Sequence, residues 1–271
     1  MIGKKRAEFT REHLLYLKKQ TVRKVLVHVT QAGVLLLILG LWELSARLGW
    51  IDAFIMSSPS RIWKTLQELI SNGTLFHHAW VSTLETLAGF VIGTTLGYAV
   101  AVVLWWNNFL KEVFEPYVVV LNSLPKIALG PIIIIWVGTG KMAIITMAVL
   151  ISVVITTITI LNGFLETDKD KILLLRSLKA NRLQIFIKLV APSNVPTLMA
   201  TLKINVGMAW IGSIMGEYLV SKEGLGYLIV YGGQVFRLDL VMTCTIVLCA
   251  LAGVMYALVS LLERIVVKNY K

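Results

Sequence analysis

Apolar residues in this chain gather into blocks about as long as the ~20 residues of helix that cross a bilayer's hydrocarbon core. The stretches between the blocks carry most of the charge. Six spans are predicted: Val25 to Leu48, Leu87 to Trp106, Pro116 to Val137, Met142 to Leu161, Pro196 to Met215 and Leu240 to Leu262. Within them the apolar positions do not follow the one-sided spacing of an amphipathic surface helix, so lipid or a helix bundle must surround them. The expected fold class is therefore all-α, a polytopic membrane protein with about six transmembrane helices.

Composition strengthens this reading. The chain is 57% hydrophobic and 15% charged, with a mean hydropathy of +0.78, whereas a soluble domain spends about a quarter of its residues on charge.

The net charge of +11 over 271 residues raises the question of a nucleic-acid partner, and the placement of the basic residues answers it. Lys4, Lys5, Arg6, Arg11, Lys18, Lys19, Arg23 and Lys24 precede the first span. Lys111 follows the second, six more lie between Asn162 and Val195, and three lie in the tail. The alternate links hold Arg61 and Lys64, then Lys141, then Lys222 and Arg237. Basic residues concentrate on the cytoplasmic side of membrane proteins, so both termini and the 162–195 link are expected there. The charge reports topology, and no nucleic acid is expected.

The expected organisation is a basic segment 1–24, a first transmembrane helix 25–48 and an external link with a short helix 49–86. A core 87–262 containing the cytoplasmic loop 162–195 follows, then a tail 263–271. Residues 1–24 are too basic and polar for a typical cleaved signal, which makes the first span a retained anchor.

Candidate enzymatic chemistry is sparse. His13, His28, His77 and His78 are scattered, and His77 and His78 fall in an external link as a solvated pair. Gly138-Thr139-Gly140-Lys141 resembles the end of a phosphate-cradling loop. Met142 replaces the required Ser or Thr, however, and Ile135 stands where the first Gly belongs. Cys244 and Cys249 in the last span are expected to pack. The chain is expected to be no enzyme and to hold no cofactor or metal.

Other residues suggest a path through the membrane. Pro125, Gly130 and Pro131 interrupt the third span, leaving backbone groups that lipid cannot satisfy. Such breaks are tolerated where they pack in protein or line a wet cavity; a simple proline kink is the alternative. Polar residues at membrane depth are functional candidates because they are costly there, so Asn122, Lys126, Asn205 and Glu217 join Pro125 and Pro131 as path candidates. Lys203 has the alternative of snorkelling to the headgroups. Gly89, Gly93 and Gly97, and again Gly212 and Gly216, recur every four residues, which lets helices approach closely, within the subunit or between subunits.

In the 162–195 link, Thr167-Asp168 offers a helix start. The run Lys171 to Leu178, followed by Arg182 to Lys188, alternates basic and apolar positions at helical spacing. Such helices lie on a membrane interface or dock in a partner's groove.

Residues 55–265 resemble the permease subunits of type I ABC importers, in the group of nitrate, taurine and aliphatic sulfonate permeases. Leu124-Pro125-Lys126-Ile127-Ala128-Leu129-Gly130-Pro131 through Ile135-Trp136-Val137-Gly138-Thr139-Gly140 carries the most specific likeness. Ser58-Pro59-Ser60, Ala209-Trp210 to Glu217, and Gly224-Leu225-Gly226-Tyr227 support it. Type I permeases bear a cytoplasmic Glu-Ala-Ala, three residues, Gly, nine residues, Ile-x-Leu-Pro pattern that forms the helix docking on the ATPase. Here Leu173, Leu174 and Leu175 take the first places, Lys179 the Gly, and Leu189 and Ala191 the Ile and Leu, while Pro192 is retained. Arg176-Ser177-Leu178 is similar to a further run of that group.

The resemblance implies a permease in a bacterial cell membrane that works with ABC ATPase subunits binding ATP and Mg. It also implies a second permease copy or a homologous permease, and an extracytoplasmic solute-binding protein. Changes at Arg176, Lys179 or Pro192 are expected to uncouple ATP hydrolysis from transport. Sulfonates, nitrate and vitamin precursors all remain open as solutes. A membrane scaffold that recruits a partner through the basic loop, and a stand-alone secondary transporter, are the rival readings. The divergent loop also suggests pairing with a second, different permease.

Overall fold

The computed structural model describes residues 11–268. Lys4, Lys5 and Arg6 of the basic segment, and residues 269–271 of the tail, lie outside them. Helices and turns make up the described residues, with no strand among them. In chain order they are α1 (Arg11–Arg47), α2 (Ala53–Met56), α3 (Pro59–Ser71), α4 (Thr74–Trp106), α5 (Asn108–Ser123), α6 (Gly130–Val137) and α7 (Lys141–Leu165). Then come α8 (Lys169–Ser177), α9 (Arg182–Ile185), α10 (Ala191–Ser193), α11 (Val195–Val220), α12 (Leu225–Gln234) and α13 (Leu238–Lys268).

Among the described residues, Val25–Arg47 within α1, and α4, α7, α11 and α13, are long and apolar enough to cross a membrane. The expected third span is not a continuous helix. Leu124, the residue before Pro125, is extended (φ −66°, ψ 136°), as the proline ring demands of its predecessor, and Lys126–Leu129 forms a 3₁₀ turn. The helix resumes as α6 with Pro131 in its first turn, where a missing N–H costs nothing. The expected second span begins earlier than Leu87, because α4 already starts at Thr74.

The chain divides into two compact units, residues up to Trp63 and residues from Lys64 onward, with the boundary inside α3. In the first, Glu43 closes the end of α1 onto the start of α3: its Oε1 accepts from Arg47 Nε at 2.8 Å and its Oε2 from the Ser60 N–H at 3.0 Å. No residue of Val25–Arg47 is buried.

The second unit is organised around α7, which α4 and α11 flank. The glycine spacing makes this possible. A Cβ at Gly93 would lie 2.6 Å from Ser152 Cβ, at Gly97 2.5 Å from Thr156 Cβ, at Gly212 2.5 Å from Ala148 Cα and at Gly216 2.8 Å from Ile144 Cα. Gly89 also meets Ala148, so that one alanine is gripped from both sides. The expected close helix pairs therefore lie within the subunit. Polar side chains stitch the same surfaces: Asn205 Nδ2 donates to Thr94 Oγ1 at 3.1 Å and to Thr156 Oγ1, and Thr157 Oγ1 donates to the Gly97 carbonyl at 3.3 Å. Thr86 and Ser213 share a hydroxyl bond. Interhelical bonds of this type contribute about 0.6 kcal/mol each. Cys244 packs against Leu225, Leu228 and Leu240, as expected of a thiol in a span.

Candidate functional site: the two ends of the α7 bundle

At the C-terminal end of α7, residues 166–194 form a folded segment. Asp168 starts α8 by accepting from the N–H groups of Asp170 (2.9 Å) and Lys171 (3.3 Å). These backbone bonds, Lys171 first, hold its carboxyl below the usual aspartate range. The helix stops through a Schellman arrangement, in which the Ala180 N–H donates to the Leu175 carbonyl and the Lys179 N–H to the Arg176 carbonyl, both at 2.9 Å. That turn requires a left-handed residue, and Lys179 supplies it at φ 60°. The position aligned with the family's glycine thus keeps a glycine-like backbone. Asn181 and Gln184 then form a capping box that starts α9, and Phe186–Val190 is a π-helical turn.

One face of this segment is rooted. Ile185 and Val190 are buried against Ala101, Leu104, Ile160, Leu161 and Phe164. Arg182 donates to the Trp105 carbonyl at 3.2 Å and lies over that indole, 5.5 Å from the ring centroid. Asn194 Nδ2 bonds Thr167 Oγ1 at 2.9 Å and the Val190 carbonyl at 2.8 Å, so the two ends of the segment are tied to one another. The other face is bare. Leu173, Leu174, Leu178, Leu183 and Ile187 are each more than half exposed.

The expected docking residues divide along this line. Leu173, Leu174, Arg176 and Lys179 are exposed, whereas Leu175, Leu189 and Pro192 are half-buried. Pro192 lines a recess of about 300 Å³ with Tyr98, Phe164 and Leu198, and Leu189 borders another of about 260 Å³ with Thr167 and Asn194.

Path candidates divide as well. Asn122, Pro125 and Pro131 are exposed on the broken segment, and Lys126 Nζ reaches the Asn122 carbonyl at 3.1 Å. Asn205 and Glu217 are instead wholly buried in helix contacts, at 0% and 1% exposure. Lys203 pairs with Glu263 of α13.

At the N-terminal end of α7, a polar clasp holds the start of α12. The Gly224 N–H donates to His78 Nδ1 at 2.9 Å, the Leu225 N–H to Ser82 Oγ at 2.8 Å and the Gly226 N–H to Glu217 Oε2 at 2.6 Å. Three successive orphan donors of a helix start are thereby satisfied by side chains from α4 and α11. Gly224 has φ 100°, and a Cβ there would strike the Glu217 carboxylate. Only His77 is the exposed side chain the sequence suggested. His78 is half-buried and stacks on Tyr227 with centroids 6.1 Å apart. The signal for this clasp was present: His78, Ser82 and Glu85 follow each other at four and three residues, one face of a helix. Placing the helix start at Leu87 hid it. Gly138 and Gly140, at φ 88° and 104°, turn the chain from α6 into α7.

Comparison with known proteins bears on both ends. Residues 93–271 match the family of binding-protein-dependent transport system inner membrane components. An ABC transporter permease protein of Haemophilus influenzae is 29% identical over 83% of this chain and 89% of its own length. An aliphatic sulfonates transport permease protein of Bacillus subtilis is 26% identical over 85% and 84%. Among solved structures, a chain of the inward-facing MetNI methionine ABC transporter superposes with a TM-score of 0.64 at 21% identity, covering 72% of this chain and 97% of that one. The family match takes in α7, α11, α12 and the segment with the bare leucines and begins within α4, after His78 and Ser82; the chain belongs to the binding-protein-dependent transport system inner membrane component family, as a permease subunit of an ABC importer.

Proposed function

We propose that this permease carries a small polar organic solute into a bacterial cell and that residues 168–192 are where separate ATPase subunits grip it. The observation that carries the reading is the bare apolar face of that segment: Leu173, Leu174, Leu178, Leu183 and Ile187 stand exposed on an element whose other face is anchored in the bundle. An exposed apolar face beside buried roots is a docking surface for a partner's groove. The six basic residues of the link put it in the cytoplasm by the positive-inside rule, on the side where ATP and Mg are available to the partner. Both termini share that side.

The opposite end, with the α12 clasp, then faces outward and receives solute from an external binding protein. A second permease, identical or homologous, completes the path. The segment acts as a lever because its ends are fastened: motion imposed on Leu173 and Leu174 passes through Asn194 and Thr167 to α7 and α11. Aliphatic sulfonates are the first solute class to try, on the strength of the Bacillus relative, with vitamin precursors as the comparison.

Affinity purification of the chain from mild detergent, followed by mass spectrometry, tests the docking assignment. An ATPase is expected to co-purify, and the Leu173→Ser/Leu174→Ser double variant is expected to lose it while remaining monodisperse. Retention of the ATPase by that variant would move the docking site elsewhere; its reproducible absence from the wild-type sample would favour the scaffold or stand-alone carrier. Uptake of labelled ethanesulfonate by cells expressing the full transporter tests the solute class.

A further inference from the structure

Glu85 on α4 and Glu217 on α11 are 3% and 1% exposed, a degree of burial that carboxylates seldom reach unless paired. Each carboxyl is among the groups that bear on the other, and the helices that carry them are bonded one residue and four residues away, through Thr86 and Ser213. Glu217 Oε2 takes the Gly226 N–H, yet Glu217 Oε1 and Glu85 Oε2 have no hydrogen-bond partner. Two buried acceptors therefore lack a donor. Two neighbouring buried carboxylates, both ionised, repel and forfeit hydration, while a single proton removes the repulsion and supplies the missing bond.

The surroundings offset this only in part. From α7, Lys141 bears on Glu85, and from the loop after α11 so does the anion Glu223. Tyr218 neighbours Glu217 on its own helix. From α4, the Ser82 hydroxyl faces Glu217, and His78, beside His77, is occupied with Gly224. From α12, the Gly226 and Tyr227 N–H groups reach Glu217.

We propose that Glu85 and Glu217 form a binding site for one proton, and that this proton is a structural part of the clasp joining α4, α11 and the start of α12. One carboxyl donates and the other accepts, which leaves Glu217 Oε2 free to hold Gly226. Loss of the proton sets two charges against each other at the point where α12 is fastened. The sign of the pH dependence follows. The folded pair holds a proton that the unfolded, ionised carboxyls lack at neutral pH, so stability falls as pH rises through release of that proton.

Infrared spectroscopy of the full chain in lipid nanodiscs reads this directly. At neutral pH the wild type is expected to show the C=O stretch of a protonated carboxyl, shifted in D₂O, abolished in Glu85→Gln and in Glu217→Gln, and lost on alkalinisation together with a drop in thermal midpoint. Glu85→Gln supplies a permanent donor, and its midpoint is expected to stay flat over the same pH range. Absence of the band from the wild type, or its survival in both variants, would overturn the proposal. A midpoint that follows sodium against choline and ignores pH would make this a sodium site instead. Should both variants fail to insert, the wild-type band and its response to alkali decide alone.

Discussion

The bundle of α4, α7 and α11 carries a connecting segment at each end, and the two are held on opposite principles. Between α11 and α12, residues 221–224 are short, and the donors of Gly224, Leu225 and Gly226 all end on side chains of the bundle. Between α7 and α11, residues 166–194 are long and self-contained, with their own caps at Asp168, Lys179 and Asn181 and a row of leucines facing solvent. One end settles its helix-start donors against the bundle, whereas the other leaves apolar surface uncovered. On the docking proposed above, a motor subunit grips the second kind of surface, because only there does an apolar face stand uncovered.

The largest effect tests what both ends depend on. Gly212→Leu would drive a side chain into the Ala148 backbone, 2.5 Å from where its Cβ must sit, and is expected to cost about 3 kcal/mol or more, seen as loss of monodisperse protein in detergent. Gly207→Ala, where nothing lies within 4 Å, is expected to leave the yield unchanged.

Glu217→Ala comes next. It strands the Gly226 N–H and is expected to lower stability by about 2 kcal/mol, with hydrogen exchange speeding up in α12 and not in α8. Loss of protection at both ends would mean that the two segments are not independent.

The Leu173→Ser/Leu174→Ser pair should have the reverse profile. Its thermal midpoint is expected to change by no more than about 0.5 kcal/mol equivalent, as for other exposed sites, while the ATPase no longer co-purifies with it. Lys179→Gly has a smaller effect of opposite sign. Relieving the left-handed strain of a residue with a Cβ is expected to protect α8 amides by about 0.5–1 kcal/mol. The smallest effect is that of Asp168. Its depressed carboxyl stabilises the start of α8 above the ordinary aspartate range and loses that contribution as pH falls through its own lower value, so α8 amides should exchange faster in acid. Asp168→Asn should flatten that dependence.

Much of the architecture was legible in the chain. Pro125 and Pro131 announce a broken helix because a ring that fixes φ and removes an N–H acts locally. Gly93 and Gly212 announce close packing because only a missing Cβ permits it. Thr167-Asp168 announces the start of α8 because a cap bonds its own next residues. Other features were not. Glu217 reads as a path candidate until it is seen wholly buried and bonded to Gly226, and His78 reads as solvated until Gly224 is seen to rest on it. Lys179 gives no sign of a left-handed backbone, since glycine, which would have advertised it, is absent.

By itself the sequence determined an all-helical membrane protein, the apolar stretches within its long helices and the start of α8, because hydropathy and capping act over a few neighbouring residues. The tertiary structure alone decided which of the costly polar residues answer one another. That pairing of Glu85 with Glu217, and of Asn205 with Thr94 and Thr156, joins residues from helices far apart in the chain, and in a low-dielectric interior the strength of each bond depends on what the fold has placed opposite it.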